Sequence, residues 1–133
     1  MRRLRLGVLA SCIASCTTAR YESPGTLRSY DILITQQDSL SRELARGLRR
    51  RGFAVRTHVR GGSRPTVYLF TFTFPEAEAT WLHVRLADTR TGSVVAAVSA
   101  PLDSLGATAA AQARAIVDSL AANATLRHSL PPS

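Results

Sequence analysis

Both cysteines of this 133-residue chain stand within its first sixteen residues, at positions 12 and 16. Everything after them must fold without a disulfide, a thiolate metal site or a catalytic thiol, so apolar burial has to hold it together. The residues around the cysteines have an order of their own. Arg2, Arg3 and Arg5 make a cationic start, and Leu6 to Ser15 is a short uncharged run of apolar and small residues. Ile13-Ala14-Ser15-Cys16 closes that run as a small-residue cleavage site. A secretory signal has this three-part layout, and the run is too short to span a bilayer as a helix. Taking residues 1–15 as signal, and removing these 15 from 133, leaves 118. With a polar leader over 16–29, about one hundred residues remain, enough for one domain with a single core and not for two.

The cysteine at the end of the run makes the segment resemble the lipobox of bacterial lipoproteins. In that family a diacylglyceryl group is attached to the sulfur, the chain is cut just before it, and the new amino end is acylated too. The resemblance implies lipidation at Cys16 by palmitate-type chains. Each buried methylene contributes roughly 0.8 kcal/mol, so several chains anchor a small domain durably where one does not. Leu9-Ala10-Ser11-Cys12 fits the same pattern, and Cys12 stands as the alternative site. Cys16 is preferred because a cut at Cys12 shortens the apolar core and leaves Cys16 as a free thiol in an oxidising compartment. The plainer alternatives are an ordinary secretory signal and a chance Arg-plus-apolar start. Thr17 stands where members held in the inner membrane carry Asp. The resemblance therefore implies the outer membrane, on its periplasmic face.

The formal net charge is +8, and it falls to +5 once Arg2, Arg3 and Arg5 leave with the signal. All 17 basic residues are Arg, in a chain rich in Ala. That pattern fits the codon bias of a GC-rich genome as well as a surface selected for polyanions, so charge alone argues little for phosphate or anionic lipid. No other run is long or apolar enough to cross a membrane.

Along the remaining chain, Thr17 to Ser29 carries Ser23-Pro24-Gly25-Thr26 and no apolar period, and reads as a tether. Tyr30 to Thr35 is a short buried strand. Asp38 suits the cap of a helix in which Leu40, Leu44 and Leu48 point inward and Arg42, Arg46, Arg49 and Arg50 outward, with Gly52 ending it. The arginine stripe reads either as a solvated face or as a patch for lipid headgroups or another polyanion. Phe53 to Val59 alternates, with Ala54, Arg56 and His58 on one side. Arg60 to Pro65 is a turn, without the Gly-Lys-Ser/Thr ending of a phosphate loop. Thr66 to Phe74 is the strongest strand. Tyr68, Phe70, Phe72 and Phe74 share one face, which is assigned to the core, and Val67, Leu69, Thr71 and Thr73 share the other. Thr80 to Ala87 places Leu82, Val84 and Leu86 inward and Trp81, His83 and Arg85 outward. Asp88 to Gly92 is a hairpin turn with Gly92 at positive φ, and Ser93 to Ala100 is the return strand. Asp103 or Ser104 caps a last helix with Ala109, Ala113, Ile116, Val117 and Leu120 buried.

The expected order is β-α-β-β-β-β-α, an α/β (α+β) two-layer sandwich. Its mixed sheet of four to five strands has two helices on one face. The first strand–helix–strand favours a parallel crossover and the later strands favour antiparallel hairpins. The division is signal 1–15, lipidated tether 16–29, single domain 30–123 and frayed tail 124–133. Arg51-Gly52-Phe53, the aromatic–Thr strand Tyr68 to Phe74 and the hairpin Asp88 to Gly92 make residues 30 to 122 resemble small uncharacterised proteobacterial lipoproteins. More distantly, they resemble the small α/β domain of the curli-secretion lipoprotein, the amino-terminal domain of the Tol-system periplasmic protein and lipoprotein activators of penicillin-binding proteins. The curli protein's pore-forming insertions have no counterpart, so a pore is not implied.

Sequence motifs of catalysis are lacking: there is no Gly-x-Ser-x-Gly, His-Glu-x-x-His or Cys–His couple. Glu76 and Glu78 read as solvated loop residues rather than an acid/base pair. His58, His83 and Asp88 make a conceivable metal set, but two His on an exposed sheet read more simply as bystanders. The expectation is a protein without catalytic residues, metal or cofactor. Its partner face is Trp81, His83, Arg85, Arg56 and His58, beside Thr71 and Thr73, because Trp and Arg are enriched where partners bind. That face would meet an envelope protein or peptidoglycan. Otherwise Trp81 is simply covered by the leader or a loop. Were the signal reading wrong, an Arg/Trp sheet in the cytoplasm could bind single-stranded nucleic acid, which needs aromatics at the centre of the open face.

Overall fold

The computed structural model describes residues 26–59 and 64–126, with side chains through 122. The signal, Cys12, Cys16, most of the tether, the Arg60–Ser63 part of the turn and the tail beyond 126 lie outside the described residues. A single 3-10 turn, Leu27–Ser29, leads into β1 (Asp31–Leu33), α1 (Ser39–Arg50), β2 (Ala54–Arg56), β3 (Thr66–Pro75), β4 (Thr80–Asp88), β5 (Val94–Pro101), α2 (Leu102–Leu105) and α3 (Ala109–Leu126). One five-stranded mixed sheet has the order β2-β1-β3-β4-β5. The α+β class and mixed sheet are as the sequence predicts, with α2 as an additional short helix.

The residues of α1 explain its start, its inward face and its end. Asp38 caps it, accepting from the Ser41 amide at 3.2 Å and the Ser41 hydroxyl at 2.6 Å. Leu44 and Leu48 are fully buried with Ser41 and Ala45, while Arg42, Arg46, Arg49 and Arg50 are exposed. At the far end Gly52, at φ 85°, reverses the chain. The Gly52 amide donates to Arg49 and the Phe53 amide to Leu48, the paired bonds of a glycine-closed helix terminus. Phe53 drops into the core, and the Arg28 guanidinium lies 4.4 Å from its ring centre.

The Asp38 cap leads to a prediction. Bonding to the Ser41 hydroxyl, ahead of the amides of the turn, holds the Asp38 carboxyl below its usual range. A depressed folded-state value means the contribution is present above the unfolded value near 4 and is lost as pH falls through the folded one. Asp38→Ala is expected to lower stability by about 1 kcal/mol at neutral pH. In urea titrations that deficit should shrink below about pH 4; a deficit independent of pH would contradict the cap.

Helices α1 and α3 pack on each other and on one face of the sheet. A Cβ built on Gly47 would stand 3.1 Å from Val117, so a bare backbone lets the helices close together. Arg51 pairs with Asp118 across them. Thr108, rather than Asp103 or Ser104, caps α3, accepting from the Ala111 amide at 3.1 Å. Asp103 and Ser104 are instead inside α2.

The core runs from Leu27 and Tyr30 through Ile32, Val67, Leu69, Leu82, Val84 and Leu86 to Ala113, Ile116, Val117 and Leu120. Its membership corrects one expectation. On β3 the inward residues are Val67 and Leu69, whereas Tyr68, Phe70, Phe72 and Phe74 lie on the other face. The cross-strand register explains why: Leu69 faces Leu86 and Thr71 faces Val84, so Thr71 and Thr73 belong to the helix side. A second correction concerns β2 and β3. They do not pair with each other; both run parallel to β1, which lies between them. β3 therefore begins at the same end of the sheet as β2.

Candidate binding face

Period-two alternation on β3 and β4 builds the face away from the helices. In register, Tyr68 stands opposite Ala87, Phe70 opposite Arg85, Phe72 opposite His83 and Phe74 opposite Trp81. On β5, Ala97, Ser99 and Pro101 continue the same rows. β3 is the central strand, so four aromatic rings run up the middle of the sheet. Tyr68 and Phe70 are half-buried, while Phe72 is 37% and Phe74 56% exposed. Toward β1 the surface closes, since Leu33, paired with Tyr68, is buried.

The rings are packed on one another. Tyr68–Phe70 and Phe70–Phe72 centres are each 6.2 Å apart, with planes 20° and 18° from parallel. His83 stacks on Phe72 at 4.8 Å and 15°, and the Arg85 guanidinium lies 5.3 Å from the same ring centre. Two hydrogen bonds fix the ends of this array. The His83 Nδ1 meets the Ser99 hydroxyl at 2.7 Å, and the Tyr68 and Thr35 hydroxyls meet at 3.0 Å. The result is a packed, mostly apolar strip against which, among the described residues, Arg85 lays an exposed cation.

The structure treats the expected partner residues differently. Trp81, His83 and Arg85 do share this face. Trp81 is half-buried and lines a shallow cleft with Glu76 to Ala79 and Pro101. Arg56 is on the same side but is tied down. Its Nε is 3.3 Å from Asp31 and its Nη2 donates to Thr66 at 2.7 Å. Arg64 adds a second contact to Asp31 at 3.5 Å. Arg56 thus clamps β2, β1 and the start of β3. His58 is exposed beyond the end of β2, with β1 and β3 between that strand and His83's. Asp88 points to the core side, so His58, His83 and Asp88 are not brought together. Among the described residues no group of three His, Cys, Asp or Glu could hold a metal ion. Phe72 and Phe74 were missed because the aromatic row was assigned inward. The signal for them was on β4, whose Leu82, Val84 and Leu86 set the parity of the neighbouring strand.

No family model matches the chain, and no curated protein matches it. Among solved structures, it is similar to a minor lipoprotein from Acinetobacter baumannii at a TM-score of 0.39 and 15% identity. That likeness covers 75% of this chain and 95% of the other. A likeness this distant says nothing of what the chain binds.

Proposed function

We propose that this chain is an outer-membrane lipoprotein, moored at the periplasmic face through an acylated Cys16, whose domain is a non-catalytic binding module. The observation that carries the binding role is the solvent-exposed aromatic row on the central strand, ending in Phe72 and Phe74. Soluble domains bury large aromatics when they can, and a contiguous exposed patch marks an interaction surface. The partner that suits a packed apolar strip is an envelope protein or peptidoglycan. The anchor half rests on the Arg-plus-apolar start and the cysteine at its end.

The single-stranded nucleic-acid reading gains one specific observation, since aromatics do stand at the centre of the open face. Two features weigh against it. A base needs a free ring face, and Phe72 already carries His83. Phosphate neutralisation supplies most nucleic-acid affinity, yet among the described residues only Arg85 lies against this ring row, Arg56 and Arg64 are paired with Asp31, and Arg42, Arg46, Arg49 and Arg50 sit on the opposite layer. Mass spectrometry of the amino-terminal peptide together with cell fractionation tests the proposal. An acylated peptide beginning at Cys16, in the outer-membrane fraction, is the expected result. A cytosolic protein retaining Met1 that binds oligo-dT would replace it with the nucleic-acid reading.

A further inference from the structure

The four arginines that α1 turns outward do not simply face solvent. Arg42, Arg46, Arg49 and Arg50 line one wall of a cleft of about 370 Å³, with Gln37 from the β1–α1 loop and Thr57 beyond β2 opposite them. Glu43 meets Arg46 at 2.7 Å. Among the described residues, Arg42, Arg49 and Arg50 have no carboxylate within ion-pair distance. Arg42 with Arg46, and Arg46 with Arg50, are like charges four residues apart on one helix, an arrangement that destabilises it. An anion in the cleft relieves that repulsion. The Ile34 amide bonds to the Arg56 carbonyl at 2.9 Å, so the chain leaving β1 and the chain leaving β2 run side by side and contribute Ile34 and Thr57 to the cleft lining. Guanidinium groups match a phosphate by donating paired hydrogen bonds, so the chemistry selected is a phosphate ester.

We propose that this arginine cleft binds the phosphate headgroup of an anionic membrane lipid. The choice of a lipid over a free phosphate rests on the anchored reading above. Ten Cα–Cα steps separate Cys16 from Thr26, where the described chain begins. Fully extended, they reach at most about 36 Å. A domain on so short a leash stays beside the headgroups, within reach of the four arginines that line this cleft.

The test uses the chain from residue 16 onward, which carries every described element, with Cys16→Ser to remove acylation. Vesicles of phosphatidylglycerol and phosphatidylcholine at about 1:3 are compared with pure phosphatidylcholine in about 0.1 M salt. Binding to the anionic vesicles is expected, and Arg42→Gln with Arg49→Gln should weaken it about tenfold. Arg90→Gln with Arg114→Gln removes the same charge elsewhere on the exposed surface and should change binding far less. Equal losses from the two pairs would mean general electrostatics and would overturn the cleft. So would absence of binding to anionic vesicles. Saturable binding of inorganic phosphate without vesicle binding would overturn the lipid as the source. Acylation of Cys16 is scored separately by mass spectrometry, so a failed anchor is not mistaken for a failed cleft.

Discussion

Asp88→Ala is expected to lower the unfolding free energy by about 3 kcal/mol. Asp88 is 1% exposed, at the inner end of β4. One carboxylate oxygen accepts from the Arg90 amide at 2.8 Å and, more loosely, the Thr91 amide at 3.4 Å. The other accepts from the Tyr30 hydroxyl at 3.2 Å, and Tyr30 is itself fully buried. The same carboxylate therefore shapes the β4–β5 turn and ties it to the segment entering β1, 58 residues earlier in the chain. Removing it strips an acceptor from a buried hydroxyl and from two turn amides, and bonds to charged groups are each worth about 1.5–3 kcal/mol. For a domain of this size the midpoint of thermal unfolding should fall by roughly 15 °C. Asp88→Asn keeps one oxygen for the turn and the side-chain volume, so its loss should be about half as large. Equal losses for Ala and Asn, or a loss below about 1 kcal/mol for Ala, would show that the carboxylate does not organise the turn.

Asp88 also shows how much of the fold was legible. Its turn was readable from local chemistry: Asp at the start and Gly92 at the end, found at φ 73°. So was α1, because leucines every four residues, an Asp cap and a closing Gly are all local signals. Asp88's inward orientation was also within reach, since it continues the Leu82, Val84, Leu86 row. What the sequence did not decide was β3. Both of its faces are apolar or Thr, so alternation alone was indifferent to which row went inside, and a one-residue change of parity exchanges the two. Size favoured the aromatic row for the core, but Leu69 and Thr71 stand opposite Leu86 and Val84, whose row packs beneath the helices, and that register puts Val67 and Leu69 inside. The candidate site was therefore half visible. Trp81, His83 and Arg85 followed from β4, while the more exposed Phe72 and Phe74 depended on a register fixed by packing between distant segments.

That difference makes the Phe72→Ser, Phe74→Ser variant the most informative on function. Were these rings core residues, truncating them would cost about 3–5 kcal/mol each. On the open face the expected losses are smaller. Phe74, more than half exposed, should cost no more than about 0.5 kcal/mol. Phe72 gives up its stack on His83 and its contact with Arg85, about 1–1.5 kcal/mol. The folded double variant should nevertheless lose most of its binding, because truncation of a central aromatic anchor costs about 2 kcal/mol or more, roughly thirtyfold in affinity. A photo-crosslinking residue at position 74 in living cells identifies the partner. Adducts should form there and not from Ala110, which is exposed on α3 in the helical layer. Peptidoglycan sedimentation with the same variants separates a glycan from a protein partner. If the double variant folds normally and keeps both its adducts and its sedimentation, the aromatic row is a solvated surface and the binding function lies elsewhere on the domain.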